Sequence, residues 1–311
     1  MFRRLFRTSR ALQRKHDSLK TLQTEVDQLK ILAAQPLIQK FKTGEKLSRL
    51  RDAEFKAFSQ FGDDGIIQYL IHRLAPLSDS FVEFGVGNYR ESNTRFLLLN
   101  NNWRGLVMDS SEGFIRSIRK DEIYWRHTLT ANRAFINRDN INDLLREAGF
   151  TGEIGLLSID IDGNDYWVWE KIDIVNPVIV IMEYNSIFGP DLAVTVPYDP
   201  QFLRHQAHFS GQFWGASLPA LTLLGERKGY SLVACNGGGN NAYFVRKNKI
   251  GLLPALSARE AFVDARFRDS RSPSGELTYL SGDARFDQIA NLEVYDVERG
   301  IKTLLNSLRK K

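Results

Sequence analysis

The run Phe81-Val82-Glu83-Phe84-Gly85-Val86-Gly87-Asn88 constrains this chain more than any other segment. It reads as a short buried strand that runs into a glycine turn, with an acidic residue near the strand end. A second strand, Arg104 to Asp109, follows and also ends on a carboxylate. Neighbouring strands that end in Gly-x-Gly and Asp describe a nucleoside pocket at the carboxyl edge of a parallel sheet. Gly85 and Gly87 let the backbone approach a ligand closely, and Asp109 stands where ribose hydroxyls would donate to it.

The details separate ligands. A dinucleotide site needs Gly-x-Gly-x-x-Gly so that a pyrophosphate can rest on a helix N-terminus. Here Arg90 occupies the third position, and Glu83 would repel a phosphate. S-adenosylmethionine has no phosphate and carries an ammonium and a sulfonium, which suit an acidic site. A plain strand-to-helix turn is the competing reading of this segment alone.

Charge is unevenly spread over the 311 residues. Residues 1–51 hold 13 Lys/Arg against 4 Asp/Glu, a net of +9; the whole chain is +5, so the other 260 residues carry −4. The basic character therefore belongs to an N-terminal arm, which argues against a body that grips nucleic acid. The whole chain is 43% hydrophobic, enough for a sizeable core. Cys235 stands alone, so no intrachain disulfide forms, which fits a reducing compartment. No Cys/His cluster has zinc spacing. The longest apolar run, Val178–Met182, is too short to span a bilayer, and no secretory core is present. A cytoplasmic protein is expected, with the basic arm allowing a peripheral position at the inner face of the membrane.

Leu5, Leu12, Leu19 and Val26 fall seven apart, and Leu22 and Leu29 follow three residues after Leu19 and Val26. This a/d pattern over 12–33 predicts a helix that ends near Pro36 and pairs with a copy of itself. Residues 1–16 set Phe2, Leu5 and Phe6 among six basic residues, which suits an anionic membrane surface. A disordered tail is the third reading. Past a helix over 55–75, strands are expected at 81–85, 104–109, 124–130, 154–160 and 177–184, with helices between them, for example 140–147 and 165–171. That alternation implies a doubly wound, mostly parallel α/β sheet. A helix over 217–228 and a strand over 230–235 follow. The short link Asn236 to Asn241 then forces the strand 242–246 to run antiparallel. Three regions result: a basic coiled-coil helix over 1–40, a seven-stranded domain over 41–250 and a mixed appendage over 251–311 that could bind or cap the acceptor.

With these pieces in order, the chain resembles the class I S-adenosylmethionine-dependent methyltransferases, and within them the FkbM-like group, over about residues 55–246. The matching segments are Ser59-Gln60-x-Gly62-x-Asp64, the glycine turn, the strand ending at Asp109, Ser158 to Asp165, and Met182-Glu183-Tyr184-Asn185. The Asp160-x-Asp162-Gly163-x-Asp165 element is the most distinctive. The sheet closed by an antiparallel hairpin is also this family's pattern, whereas a dinucleotide domain ends on parallel strands. The resemblance implies a Rossmann-like methyltransferase fold. It implies a donor held by Gln60, Asp64, Glu83, Gly85, Gly87 and Asp109, with Ala131 beside the adenine and Asp160 at the methionine part. It implies a hydroxylated acceptor, such as a glycan, a lipid-linked saccharide or a glycosylated small molecule.

Asp160, Asp162, Asp165 and Glu183 crowd the ends of two adjacent strands and cannot all stay ionised without compensation. A Mg²⁺-like cation held by Asp160, Asp162 and Glu183 would supply it and would acidify a substrate hydroxyl. An ordinary strand-to-helix turn explains the Asp, Asn and Gly residues equally well. Asp162 and Asp165 are the expected catalytic carboxylates, with His208, or His205 beside it, as general base. Trp167 and Trp169 fit core packing better than a sugar-stacking wall. The rival functions are a nicotinamide-dependent sugar oxidoreductase or epimerase, and a non-catalytic scaffold assembled through the N-terminal helix.

Overall fold

Val82, Leu106, Leu157 and Val180 lie in the middle of four adjacent strands and are wholly buried. Apolar runs bounded by Gly, Asn and Asp have nowhere else to go once both sheet faces are covered. The computed structural model describes residues 2–44, 46–74 and 78–309, with side chains from Lys15 onward except at 16 and 17. Residues 1–46 and 47–311 form two compact units.

The larger unit contains ten strands among its described residues. They are β1 (Ser80–Phe84), β2 (Arg104–Asp109), β3 (Leu129–Arg133), β4 (Gly152–Ile159), β5 (Val175–Glu183), β6 (Val194–Thr195), β7 (Tyr230–Cys235), β8 (Asn241–Arg246), β9 (Glu293–Asp296) and β10 (Ile301–Leu304). The main sheet runs in the order β3-β2-β1-β4-β5-β8-β7. Strands β1 to β5 pair in parallel, and β8 pairs antiparallel with both β5 and β7. This is the doubly wound sheet closed by an antiparallel hairpin that the element order requires. The chain winds outward in both directions from β1 and β4. A crevice therefore opens beyond their carboxyl ends, where ligands bind in open α/β sheets.

Trp169 packs on Tyr230 and Phe244 in the core, with ring centroids 5.9 and 5.0 Å away. Trp167 is equally internal and donates its indole N–H to Val196 O at 2.9 Å. Core packing thus accounts for both tryptophans.

Three expectations need correction. The segment 124–130 is not one strand. Asp121 accepts Ile123 N–H at 3.1 Å and starts a helical turn over Glu122–Arg126, so β3 begins only at Leu129. Residues 251–311 are built into the larger unit rather than hung on it. β9 pairs with β10 and with β6, and Phe286, Ile289, Val294 and Leu305 share a core cluster with Phe188, Val194 and Phe213. The N-terminal helix, Phe2–Lys42, runs through Pro36 instead of ending there. Along it Leu19, Leu22, Leu29 and Leu32 are each more than half exposed. No described helix is long and apolar enough to cross a membrane.

Candidate functional site

The turn after β1 meets the turn after β4 at the sheet's switch point. Gly85 has φ +73°, and a Cβ built there would lie 1.5 Å from Asp160 O, so only glycine fits. Gly87, also at positive φ, donates its N–H to Asp109 Oδ2 at 2.9 Å, and Ser111 N–H donates to Asp109 Oδ1 at 2.7 Å. Two backbone bonds thus orient the Asp109 carboxylate at the end of β2. Each oxygen keeps a further acceptor site for a ligand.

These residues line a cavity of about 720 Å³ at the carboxyl edge of the sheet. One wall is Gln60, Gly85, Gly87 and Asp109; a second is Phe114 with Ala134, Phe135 and Ile136; a third is Asp160, Asp162, Asn164 and Glu183; and the segment Phe202–Gln206 closes the side. The cavity brings together seven of the expected site residues: Gln60, Gly85, Gly87, Asp109, Asp160, Asp162 and Glu183. A second cavity, of about 860 Å³, lies away from this edge. Three of its four arginines are engaged with its own carboxylates, Arg259 with Asp191, Arg309 with Asp283 and Arg299 with Asp296, and Arg285 donates to Gln212 Oε1 and Ala265 O.

Five expected residues lie outside the lining. Asp64 Oδ2 accepts Ala57 N–H, Phe58 N–H, Ser59 N–H and Ser59 Oγ–H at 2.7 to 2.9 Å, so it ties down the loop before the helix Asp63–Arg73. Burial, opposed by those bonds, pushes its carboxyl up to about 6. Glu83 accepts Asn93 N–H at 2.9 Å and Thr94 N–H at 3.0 Å, together with the Ser92 and Thr94 hydroxyls. It fastens the start of the helix Arg95–Asn101 to β1, and burial raises its pKa. Asp165 is fully buried and accepts Ile161 N–H at 2.8 Å and Gly163 N–H at 2.9 Å, closing the turn after β4. Burial pushes it up to about 6. Ala131 is sealed inside β3, where its carbonyl accepts from Arg119, and Ala134 to Ile136 form the wall instead. His208 turns its Nδ1 to Ser210 Oγ at 2.7 Å and stacks on Phe209; His205 is the histidine that lines the cavity. Asn185 is likewise structural and donates to Gln212 O and Trp214 O.

Charge compensation in the acidic wall differs from the expected metal. Arg204 donates to Asp162 Oδ1 at 2.8 Å, to Asp269 Oδ2 at 3.1 Å and to Gly211 O at 2.7 Å, and its guanidinium sits 4.8 Å over the Trp214 ring. Asp162 thus faces a guanidinium. Asp160 and Glu183 lie against each other at the ends of β4 and β5. Glu183 Oε2 is buried without a hydrogen-bond partner, and two carboxyls this close favour protonation of the pair. Burial first, then the charges of Asp162 and Asp165, push Asp160 up to about 8. Burial first, then Asp160, hold Glu183 well above the usual carboxylate range. Among the described residues no three His, Cys, Asp or Glu side chains are arranged to hold a metal ion. The expected Mg²⁺ set of Asp160, Asp162 and Glu183 is not assembled, because Asp162 turns its Oδ1 to Arg204.

Sequence reasoning missed Arg204, Phe202, Phe114 and Phe135. No motif marks them, and Arg204 reaches Asp162 only because the chain between β5 and the helix Leu218–Arg227 folds back over the crevice.

No protein-family model matches this chain. No curated protein matches it either. Several solved structures resemble it. The CurJ carbon methyltransferase shares 8% identity at a TM-score of 0.39, over 64% of this chain and 57% of its own. The N-terminal domain of EvdMO1, solved in the presence of S-adenosylhomocysteine and D-fucose, shares 10% identity at 0.39, over 68% and 94% of the two chains. An O-methyltransferase from Bacillus cereus, in complex with S-adenosylhomocysteine, shares 13% at 0.37, over 68% and 87%. This chain thus spans little more than half the length of CurJ's matched structure.

Proposed function

We propose that the cavity binds S-adenosylmethionine and that the protein is a class I, FkbM-like O-methyltransferase acting on a hydroxyl of a carbohydrate-type acceptor. One observation carries this reading. The lining holds four carboxyl residues, Asp109, Asp160, Asp162 and Glu183, against a single arginine or lysine, Arg204, which is itself bound to two carboxylates. Such a cavity repels the pyrophosphate of a nicotinamide cofactor and attracts a nucleoside that bears cationic centres. That favours methyl transfer over the oxidoreductase alternative.

In this reading Asp109 accepts from ribose hydroxyls, the Gly85–Gly87 backbone lies along the ligand, and Phe114 and Phe135 flank its base. Bound there, S-adenosylmethionine supplies an electrophilic methyl group. The Asp160–Glu183 pair, which holds one proton for two carboxyls, takes the proton of the acceptor hydroxyl as its oxygen is methylated. Asp162 and Arg204 keep the facing wall in place. The Leu19 to Leu32 stripe of the N-terminal helix pairs with a second copy. The +9 arm then presents several basic residues per oligomer to an anionic membrane surface.

Isothermal titration of the full chain with S-adenosylhomocysteine and with NADH tests the donor assignment. Binding of the first alone is expected; binding of NADH alone, or of neither, sinks it. Transfer of labelled methyl groups to cell glycan, lipid, RNA and protein fractions then tests the acceptor class. Light scattering and sedimentation with anionic vesicles, for full-length and Δ1–40 protein, test the arm.

A further inference from the structure

Asn164 lines the cavity between the acidic wall and Phe202. It is 4% exposed. Its amide orientation is set by the bond from Nδ2 to Asp199 O at 2.7 Å, so the atom left over is an oxygen, an acceptor with no donor capacity. That Oδ1 is buried and has no partner. The nearby donors are already committed. Ile161 N–H and Gly163 N–H go to Asp165. Val168 N–H goes to the Asn164 carbonyl. Arg204 is spent on Asp162, Asp269 and Gly211. Gly163 cannot be replaced to help, since a Cβ there would stand 2.1 Å from the Phe202 ring. The turn also holds Asp162 at φ +58°, a left-handed conformation that a non-glycine residue adopts at a cost. The chain thus builds a constrained turn and leaves Asn164, a residue of the cavity wall, with a buried neutral acceptor unpaired, as the carboxyl oxygen Glu183 Oε2 also is, whereas buried polar groups are ordinarily satisfied.

We infer that Asn164 is a specificity-determining residue whose Oδ1 receives a hydrogen bond from a second hydroxyl of the acceptor, so that the substrate is a diol or higher polyol rather than an isolated alcohol. This inference rests on the methyltransferase reading for the first hydroxyl, the one that yields its proton to Asp160 and Glu183. The second hydroxyl is not consumed; it donates to Asn164 and fixes the orientation of the first. A neutral amide oxygen suits an uncharged O–H, and a site built around such a bond rejects analogues that lack the donor, because the acceptor is then left unpaired.

The test uses full-length protein saturated with S-adenosylhomocysteine and three probes: cyclohexanol and the cis and trans isomers of cyclohexane-1,2-diol. Dissociation constants come from saturation-transfer NMR. One diol isomer should bind about tenfold tighter than cyclohexanol, the scale of one hydrogen bond. Asn164→Leu should erase that preference, and Asn164→Asp, which keeps an acceptor oxygen, should retain it. Thermal melts report whether each variant is folded. If Asn164→Leu does not fold, the comparison between probes on the natural protein decides alone. Equal affinity for cyclohexanol and both diols, a preference that survives Asn164→Leu, or no diol binding up to the solubility limit overturns the inference. Failure of S-adenosylhomocysteine to bind defeats the donor reading instead. The diol preference, measured without it, then still stands or falls on the same criteria.

Discussion

Two groups of carboxylates at the edges of the parallel strands have opposite roles. Glu83 and Asp165 have both oxygens occupied by donors from their own loops, and Asp64 gathers four such donors on Oδ2. Asp109, Asp160 and Glu183 line the cavity with acceptor capacity to spare. Both groups sit at strand ends or helix starts. What separates them is where the lone pairs go. A carboxylate saturated by backbone N–H groups holds a turn together, and one with free lone pairs facing a cavity is available to a ligand.

The largest effects should come from breaking the first group. Glu83→Ala removes the acceptor for four buried donors, and Asp64→Ala does the same for its loop. Each should lower the unfolding free energy by about 3 kcal/mol or more, read from urea melts. The fraction that still folds should bind S-adenosylhomocysteine almost normally. A loss of binding with unchanged stability would erase the distinction between the groups.

Asp109→Ala tests the second group in the opposite sense. It should weaken S-adenosylhomocysteine by about 1.5–3 kcal/mol while moving stability much less, since only two backbone bonds at a half-buried site are lost. Titration calorimetry beside thermal melts separates the two quantities.

Protonation sharpens the comparison further. Asp160 is pushed up to about 8 in the folded protein, and Asp64 and Asp165 to about 6. Raised folded values mean that the native state holds these protons more tightly than the unfolded chain does. Their contribution is therefore greatest in acid and is lost as pH rises through the folded values. Between about pH 6 and 8 the slope belongs to Asp160 with Glu183. The melting temperature should fall across that window, and Asp160→Asn should flatten the fall. A melting temperature that rises with pH there, in the natural protein, would contradict a shared proton.

The smallest expected change is at His208, which is absent from the cavity lining and occupied by Ser210. His208→Ala should leave donor affinity and transfer rate within about twofold. A large loss of rate would return the histidine to the chemistry.

Much of the fold is legible in local pattern. Gly85 and Gly87, the apolar runs of β1, β2, β4 and β5, and the short Asn–Gly link between β7 and β8 each declare themselves, because strand periodicity, turn chemistry and crossover length act over a few residues. Asp109 was legible for the same reason. Boundaries were less so. The residues 122–126 look strand-like by composition but follow an N-capping Asp121. Pro36 reads as a helix end, yet the helix persists past it.

The sequence by itself determined the sheet, its antiparallel closure, the glycine turn and the acidic character of the crevice, since these follow from side-chain type at short range. Only the tertiary structure decided which carboxylates face the cavity. It turned Asp64, Glu83 and Asp165 inward and brought Arg204 across 42 residues to Asp162. It also left Asn164 Oδ1 without a donor. Hydrogen-bond satisfaction is a property of the assembled neighbourhood, and no residue carries its partners in its own sequence context.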